Sequence, residues 1–302
     1  MQMTADHTVY LFDINPKTPS IMTIEPGATI DVEVRGAFDD IRDIAAVPVP
    51  FTPACDGHPL APITGPIRVA GAEVGDSVTV EVLSITPFGE GRNAIMRDFG
   101  MLTKDFPAPK IIQCPIRDGK AWFGNRIPID LHPNLGTIST MPPEGYKPSY
   151  AGAYGGDFDQ KSAGQAGSIV HLPVLVPGAL LFFADPHAAV SDGIISGTGV
   201  ECSVRLQARI SLNKRRAVHR PIIETPDTVE IVGWGGSVEA ASADCARGAV
   251  DYVAANTTLS REESYMLLGI IGELRIGTSP RPTMAARLVI PRAPLRAAGY
   301  RG

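Results

Sequence analysis

The chain has 302 residues, of which 44% are hydrophobic and 20% are charged, a balance that is ordinary for a globular protein with a sizeable core. The net charge is −5 at pH 7, and the densest basic run, residues 214–216, is too short to follow a phosphate backbone, which argues against a nucleic-acid partner. No apolar window reaches roughly 18 residues, and residues 1–10 lack the regions of a signal peptide, so no membrane segment or membrane partner is expected.

The first two thirds of the chain are predicted to be β-structure. Residues 29–35 alternate apolar and polar side chains with a period of two, and residues 77–83 repeat the pattern, as half-buried strands do. The glycines and prolines are spread along the chain, where they separate the strands by short turns. Further strands are predicted at residues 66–70, 168–175, 179–184, 199–206 and 207–212.

The pattern changes to mixed α- and β-structure after about residue 221. Ser260 and Glu263 have the spacing of a capping box, in which each side chain hydrogen bonds to a backbone amide at the start of a helix. Gly272 is the predicted stop of that helix. The predicted elements are a strand at 228–233, helices at 237–255 and 261–271, and strands at 274–276 and 286–290.

These elements together predict a mainly β fold. Many short strands joined by tight turns are typical of a jelly-roll or sandwich-like body, which we expect over residues 1–221 and which carries the candidate site. A smaller C-terminal α+β portion, residues 222–302, is expected to pack on that body.

The four cysteines are scattered along the chain and show no Cys-x-x-Cys spacing. They are too sparse for a disulfide framework, so we expect reduced and mostly buried thiols in a cytoplasmic protein. The chain also contains no phosphate-binding loop, no dinucleotide-binding glycine motif and no Gly-x-Ser-x-Gly nucleophile motif.

Polar residues that could carry chemistry lie in three short segments. Asp185-Pro-His187 follows a strongly apolar strand, and a carboxylate beside an imidazole suits a divalent metal or an acid–base pair. Asp56-Gly-His58 precedes another strand, and Gly155-Gly-Asp-Phe-Asp159 places two carboxylates beside two glycines. Each segment alone is more often a turn or a strand end, but three of them favour one shared site. His132 and His171 are predicted to be structural.

The same segments resemble the acetamidase/formamidase family, and the resemblance covers roughly residues 20–291. Residues 58–76 of this chain are HPLAPITGPIRVAGAEVGD, where the family pattern is HPLTGPIxVxGAExGD. The other similar segments are residues 155–159 (family pattern GGNMD), 172–180 (LPVxVxGAL), 185–193 (GDGHAAQGDGE), 197–201 (GTAIE) and 259–276 (LSxxEAYxLxSxxxDLRVxQ). Three departures fall on the candidate site, where Asp157 replaces Asn, Pro186 replaces Gly and Ile194 replaces Glu.

The resemblance implies hydrolysis of a short linear amide, such as formamide or acetamide, to a carboxylate and ammonia. It also implies a divalent metal ion, such as zinc or calcium. We predict that Asp159, Asp185 and His187 are metal ligands, with Asp56 as a further candidate ligand. The resemblance and the β-sheet edges together imply a homodimer or a higher homo-oligomer.

Two residues are predicted to act in catalysis. Glu201 is the predicted general base and acid, because a carboxylate near a metal-activated water can move its proton. His58 is the second predicted catalytic residue. Three alternatives stay open: a hydrolase of another amide, a lactam or a related C–N bond; a non-catalytic protein that binds calcium or carbohydrate; and a structural β-protein.

Overall fold

The computed structural model describes residues 2–3, 8–9, 14–50, 52, 54, 60–146, 150–157, 159–215, 218–277 and 283–301. The strands within these ranges are β1 (Gln2–Met3), β2 (Thr8–Val9), β3 (Met22–Ile24), β4 (Thr29–Val34), β5 (Ile63–Val69), β6 (Ser77–Ile95), β7 (Lys110–Arg117), β8 (Lys120–Phe123), β9 (Ile127–Asp130), β10 (Asn134–Ser139), β11 (Ala151–Gly152), β12 (Gly155–Gly156), β13 (Ile169–Pro173), β14 (Leu181–Ala189), β15 (Val200–Asn213), β16 (Ile222–Glu224), β17 (Thr228–Gly235), β18 (Glu273–Ile276) and β19 (Met284–Pro291). The helices are α1 (Val238–Asn256), α2 (Arg261–Ile271) and α3 (Arg292–Ala297).

Two groups of strands form the layers of a sandwich. One group is built on the long antiparallel pair of β6 and β15, with β4 beside β15 and β13 beside β6. The other group joins β3, β5, β14 and β10 in that order. Buried side chains of both groups share one hydrophobic core, for example Val80 of β6, Leu206 of β15 and Phe183 of β14. The predicted mainly β, sandwich-like fold is confirmed.

Strand β14 joins the two layers and differs from the prediction. The predicted strand ended at residue 184, before Asp185-Pro-His187, whereas β14 continues to Ala189. It continues because Pro186 and His187 pair with Leu135 and Asn134 of β10, a strand that the sequence analysis did not predict. The segment that was expected to follow the strand is therefore part of it.

Strand β15 also differs from the prediction, which divided it into two strands at residue 207. The structure has one continuous strand, but its pairing with β6 shifts by one residue between Gln207 and Ala208. A bulge of this kind interrupts the alternation of side chains without ending the strand.

The C-terminal elements match their predictions closely. Helix α2 spans Arg261–Ile271, and both hydrogen bonds of the Ser260–Glu263 capping box are present. Helices α1 and α2 pack on a sheet of β16, β17, β19 and β18. Strand β16 also pairs with β13, so one sheet continues across residue 221, and the predicted domain boundary there stays a prediction. No helix among the described residues is long and apolar enough to cross a membrane.

The cysteine prediction is confirmed where the structure describes the residues. Cys114, Cys202 and Cys245 are buried and free. Cys55 lies outside the described residues.

Gly233 of β17 lies where helix α1 packs most closely on the sheet. A Cβ atom at this position would lie 2.3 Å from the backbone nitrogen of Cys245 in α1. We predict that Gly233→Ala lowers the free energy of unfolding by about 1–3 kcal/mol, because the helix or the strand must move to relieve the overlap. Urea unfolding followed by circular dichroism measures the change. Gly236→Ala is the matched control, because a Cβ atom there meets nothing within 4 Å; equal losses in both variants would contradict the prediction.

Candidate active site

Four polar side chains, three of them buried and Asp185 nearly so, meet beside the junction of β14 and β15. Asp185 and His187 lie on β14, Glu201 lies near the start of β15, and Asp159 lies in the loop after β12. His187 and Glu201 are direct partners in the antiparallel ladder. We call these four residues the acid–histidine cluster.

The distances within the acid–histidine cluster are short. His187 Nε2 lies 3.2 Å from Glu201 Oε1 and 3.7 Å from Asp185 Oδ2. One ligand atom each of Asp159, Asp185 and His187 can be chosen so that all three lie within 4.8 Å of one another. Glu201 Oε1 also accepts a hydrogen bond of 2.8 Å from the backbone N–H of Gly199, which fixes the orientation of the carboxylate.

Gly136 of β10 makes room for two of the carboxylates. The pairing of β10 with β14 places Gly136 opposite Asp185, and its carbonyl accepts a 3.2 Å hydrogen bond from the N–H of Asp159. A Cβ atom on Gly136 would lie 2.4 Å from Asp159 Oδ1 and 2.5 Å from Asp185 Oδ2. Only glycine therefore leaves space for both side chains at this position.

Two residues of the cluster have an unusual backbone conformation. The φ angle is 43° at Asp159 and 54° at Asp185, which places both in the left-handed region. Aspartate tolerates this region better than most side chains, but the conformation still costs free energy. Strain of this kind concentrates at functional sites, where the surrounding structure holds it in place.

Burial and mutual repulsion shift the pKa values of the carboxyl groups. Burial raises the pKa of Asp159 well above its ordinary range, and the nearby carboxylate of Asp185 raises it further. Burial also raises the pKa of Asp185, to about 6, with His187 opposing the shift and Glu201 adding to it.

For the imidazole of His187, burial and the neighbouring carboxylates act on the pKa in opposite directions. Burial acts to lower the pKa of His187, but the carboxylates of Glu201 and Asp185 outweigh it and raise the pKa to about 10. One imidazolium cannot balance the three carboxylates of the cluster. Bound protons or a divalent cation must therefore neutralise the remaining negative charge.

The residues of the cluster fit a divalent cation. His187 Nδ1 and Glu201 Oε2 are buried and have no hydrogen-bond partner among the described residues, although buried polar atoms are nearly always partnered. Two carboxylates and one imidazole are donors that zinc and similar ions accept. The space beside Gly136, the excess negative charge and the unpartnered atoms all suit such an ion.

A small cavity, which we call the inner cavity, opens onto the cluster. Its volume is about 50 Å³, and Asp185, Glu201 and Asp157 contribute carboxylates to its lining. Because one water needs roughly 10–15 Å³, the inner cavity holds about four water-sized groups. Its remaining lining is mostly apolar and includes Phe38, Ile63, Met96, Phe99, Tyr146 and Ala184.

A buried arginine of the C-terminal sheet supports the loop that carries Asp159. Arg287 of β19 is 1% exposed, and its guanidinium donates to Gln160 Oε1 and, at 2.8 Å, to Asp192 Oδ1. Its Nε atom lies 2.6 Å from Glu230 Oε2 of β17. Since Gln160 is adjacent to Asp159, this ion-pair network connects the C-terminal sheet to the site.

The structure brings together four of the six residues predicted from the sequence, namely Asp159, Asp185, His187 and Glu201. The other two, Asp56 and His58, lie outside the described residues. The predicted structural role of His171 is confirmed, because the side chain contacts Thr79 and Glu224 on the sheet.

Two residues at the site, Gly136 and Phe99, were not predicted from the sequence. Gly136 lies within a strand-like run, and an isolated glycine in such a run is a signal of close backbone approach. No pattern in the sequence marks Phe99. Among the three departures from the family pattern, Asp157 lines the inner cavity, Pro186 lies within β14 and Ile194 is buried.

Comparisons with known proteins agree with the fold and with the family resemblance of the sequence. A model of the acetamidase/formamidase family matches residues 3–145. The acetamidase of Yersinia enterocolitica is 28% identical, with a TM-score of 0.89 over 97% of this chain and 92% of that chain. The acetamidase of Bacillus halodurans is 27% identical, with a TM-score of 0.91 over 99% of this chain and 100% of that chain.

A third solved structure, a predicted acetamidase/formamidase from Thermoanaerobacter tengcongensis, is 25% identical, with a TM-score of 0.89 over 100% of this chain and 99% of that chain. The chain has no significant match among the curated proteins. These findings class the chain as an amidase, an enzyme that hydrolyses amide bonds. Within that class, its resemblance to the acetamidase/formamidase family is confirmed.

The close approach of Gly136 to the carboxylates of Asp159 and Asp185 allows the role of the acid–histidine cluster to be tested. We predict that Gly136→Ala weakens zinc binding and lowers amidase turnover by at least about tenfold, because the new methyl group displaces the carboxylates of Asp159 and Asp185. Isothermal titration calorimetry and ammonia release measure the two effects. Gly269→Ala in α2 is the control, because a Cβ atom there meets nothing within 4 Å. Unchanged zinc binding in a folded Gly136→Ala variant would contradict the prediction.

Proposed function

We propose that the chain hydrolyses a short linear amide, such as formamide or acetamide, to a carboxylate and ammonia, with a divalent ion held by the acid–histidine cluster. The observation that carries the proposal is the inner cavity of about 50 Å³, which has room for a molecule the size of acetamide beside Asp185 and Glu201. The resemblance to the acetamidases supports the amide bond as the target.

Asp159, Asp185 and His187 would hold the metal ion. Their donor atoms are buried and mutually close. The imidazole favours zinc over calcium, because calcium prefers a shell made only of oxygen ligands. A bound divalent ion supplies Lewis acidity and lowers the pKa of a water molecule.

Glu201 is the proposed general base and general acid. Its Oε1 atom is held by the N–H of Gly199 and by His187. Its Oε2 atom has no hydrogen-bond partner among the described residues, and the side chain lines the inner cavity. Oε2 can therefore accept a proton from the attacking water and deliver it to the nitrogen as the C–N bond breaks. The products are a carboxylate and ammonia.

The apolar lining of the inner cavity has two proposed effects. Phe38, Met96 and Phe99 contact the non-reacting part of the substrate and favour a hydrogen or a methyl group over a polar substituent. They also limit the number of water molecules beside the carboxylates, which strengthens each electrostatic interaction there.

We also propose a cytoplasmic location and a homodimer or higher homo-oligomer. The free, buried cysteines support a reducing compartment. Self-association is supported by the exposed apolar side chains of Tyr265, Met266 and Ile270 on α2.

Ammonia release from a series of primary amides tests the proposed activity. We expect release from formamide and acetamide, loss of release after treatment with a chelator, and recovery when zinc is added back. Bulkier amides should react more slowly, because the inner cavity is small. If no amide in the series releases ammonia while zinc is bound, the proposal is wrong.

Glu201→Gln tests the proposed general base. We expect kcat for acetamide to fall by about 10²–10⁴, because glutamine cannot exchange a proton with water or with the departing nitrogen. Zinc binding and the unfolding temperature should stay close to those of the wild type. Glu25→Gln, which changes an exposed glutamate far from the cluster in the sequence, is the control. Unchanged kcat in Glu201→Gln would remove Glu201 from the mechanism.

A further inference from the structure

A second cavity lies next to the inner cavity. This outer cavity has a volume of about 300 Å³. Phe99 lines both cavities, so the two meet at this residue. The proposed reaction in the inner cavity makes no use of the outer one.

The outer cavity is mostly apolar and opens to solvent. Six of its lining residues are Ile95, Leu102, Phe106, Ile112, Phe123 and Ile195. Leu102 and Phe106 are each 53% exposed, and Ile195 is 65% exposed. An open apolar concavity of this kind suits the hydrocarbon part of a ligand.

The backbone around Phe99 holds its ring in place. The N–H of Met101 donates a 2.9 Å hydrogen bond to the carbonyl of Ile195. Gly100 has a φ of 106°, and a Cβ atom there would lie 2.8 Å from the carbonyl oxygen of Ser196. A Cβ atom on Gly197 would lie 2.4 Å from Cδ1 of Phe99. The ring therefore rests directly on the backbone of the neighbouring turn.

The hydrogen-bonded pair of Asn93 and Thr198 forms another part of the boundary between the inner and outer cavities. Asn93 lines the outer cavity and Thr198 lines the inner one. The side-chain amide of Asn93 donates to Thr198 Oγ1 at 3.0 Å and to the carbonyl of Gly199 at 2.8 Å. These polar groups satisfy each other, whereas Phe99 contributes an apolar side chain to the boundary between the two cavities.

We infer that Phe99 is the residue that limits the size of the substrate. With the ring in place, the acyl group of an amide is confined to the inner cavity. Without the ring, a linear acyl chain can extend from the carboxylates into the outer cavity, where it is buried against apolar side chains. This inference rests on the proposed function, since it assumes that the amide group binds beside Asp185 and Glu201.

The test compares Phe99→Ala with the wild type on acetamide, butyramide and hexanamide. The ratio of kcat/KM for hexanamide to kcat/KM for acetamide should rise at least about tenfold in Phe99→Ala, the range that a few methylene groups in an apolar pocket can produce. Phe106→Ala is the matched control, because Phe106 lines the outer cavity alone. In Phe106→Ala, the ratio of kcat/KM for hexanamide to kcat/KM for acetamide should change by less than about twofold.

A binding measurement separates this inference from the proposed function. The dissociation constant of hexanamide, measured by ligand-observed NMR, should fall at least about tenfold in Phe99→Ala even if no amide is hydrolysed. Tighter binding of hexanamide without ammonia release from acetamide would refute the proposed function and support the role of Phe99 in limiting ligand size. The inference would be overturned if Phe99→Ala releases ammonia from acetamide but shows neither a higher ratio of kcat/KM for hexanamide nor a lower dissociation constant for hexanamide. If Phe99→Ala does not fold, Phe99→Leu should show the same changes at smaller size, and its failure to do so would equally overturn the inference.

Discussion

The burial of three carboxylates around one imidazole is the constraint on which the site depends. Asp159, Asp185 and Glu201 repel one another, and a protonated His187 can balance only one of them. With a metal ion bound, His187 would be a neutral ligand and the ion would supply the positive charge instead. Buried charge of this kind persists only where the protein supplies compensation. Here the compensation includes the backbone N–H of Gly199 and, in our proposal, a divalent cation. The same carboxylates provide the proposed chemistry of the site and account for the free energy that their burial costs.

The sandwich makes that arrangement possible because β14 is paired on both sides. It pairs with β10 and β5, and near its end with β15, so the side chains of Asp185 and His187 have little freedom. The C-terminal sheet adds support through the buried Arg287, which contacts the residue next to Asp159. The position of the cluster is therefore decided by the whole fold. In our inference, substrate size is limited separately, by the apolar boundary that contains Phe99.

Several elements could be predicted because their signals are local. The half-buried and buried residues of β4 alternate along its length, and the capping box at Ser260 defines the start of α2. Strands β9 and β10 could not be predicted in this way. Every residue of β9 is exposed and every residue of β10 is buried, so neither strand has an alternating pattern. Because β10 was not predicted, the role of Gly136 and the true end of β14 were not predicted either.

The sequence by itself determined the mainly β class of the fold, most element positions in the C-terminal portion, and the short segments that contain Asp159, Asp185 and His187. These features depend on neighbouring residues, whose periodicity and capping are visible along the chain. Only the tertiary structure decided that these side chains and Glu201 meet in one cluster beside Gly136, and that Phe99 lines two cavities. The physical reason is that their contacts come from strand pairings between residues far apart in the chain, such as β10 with β14, and periodicity carries no information about which strands will pair.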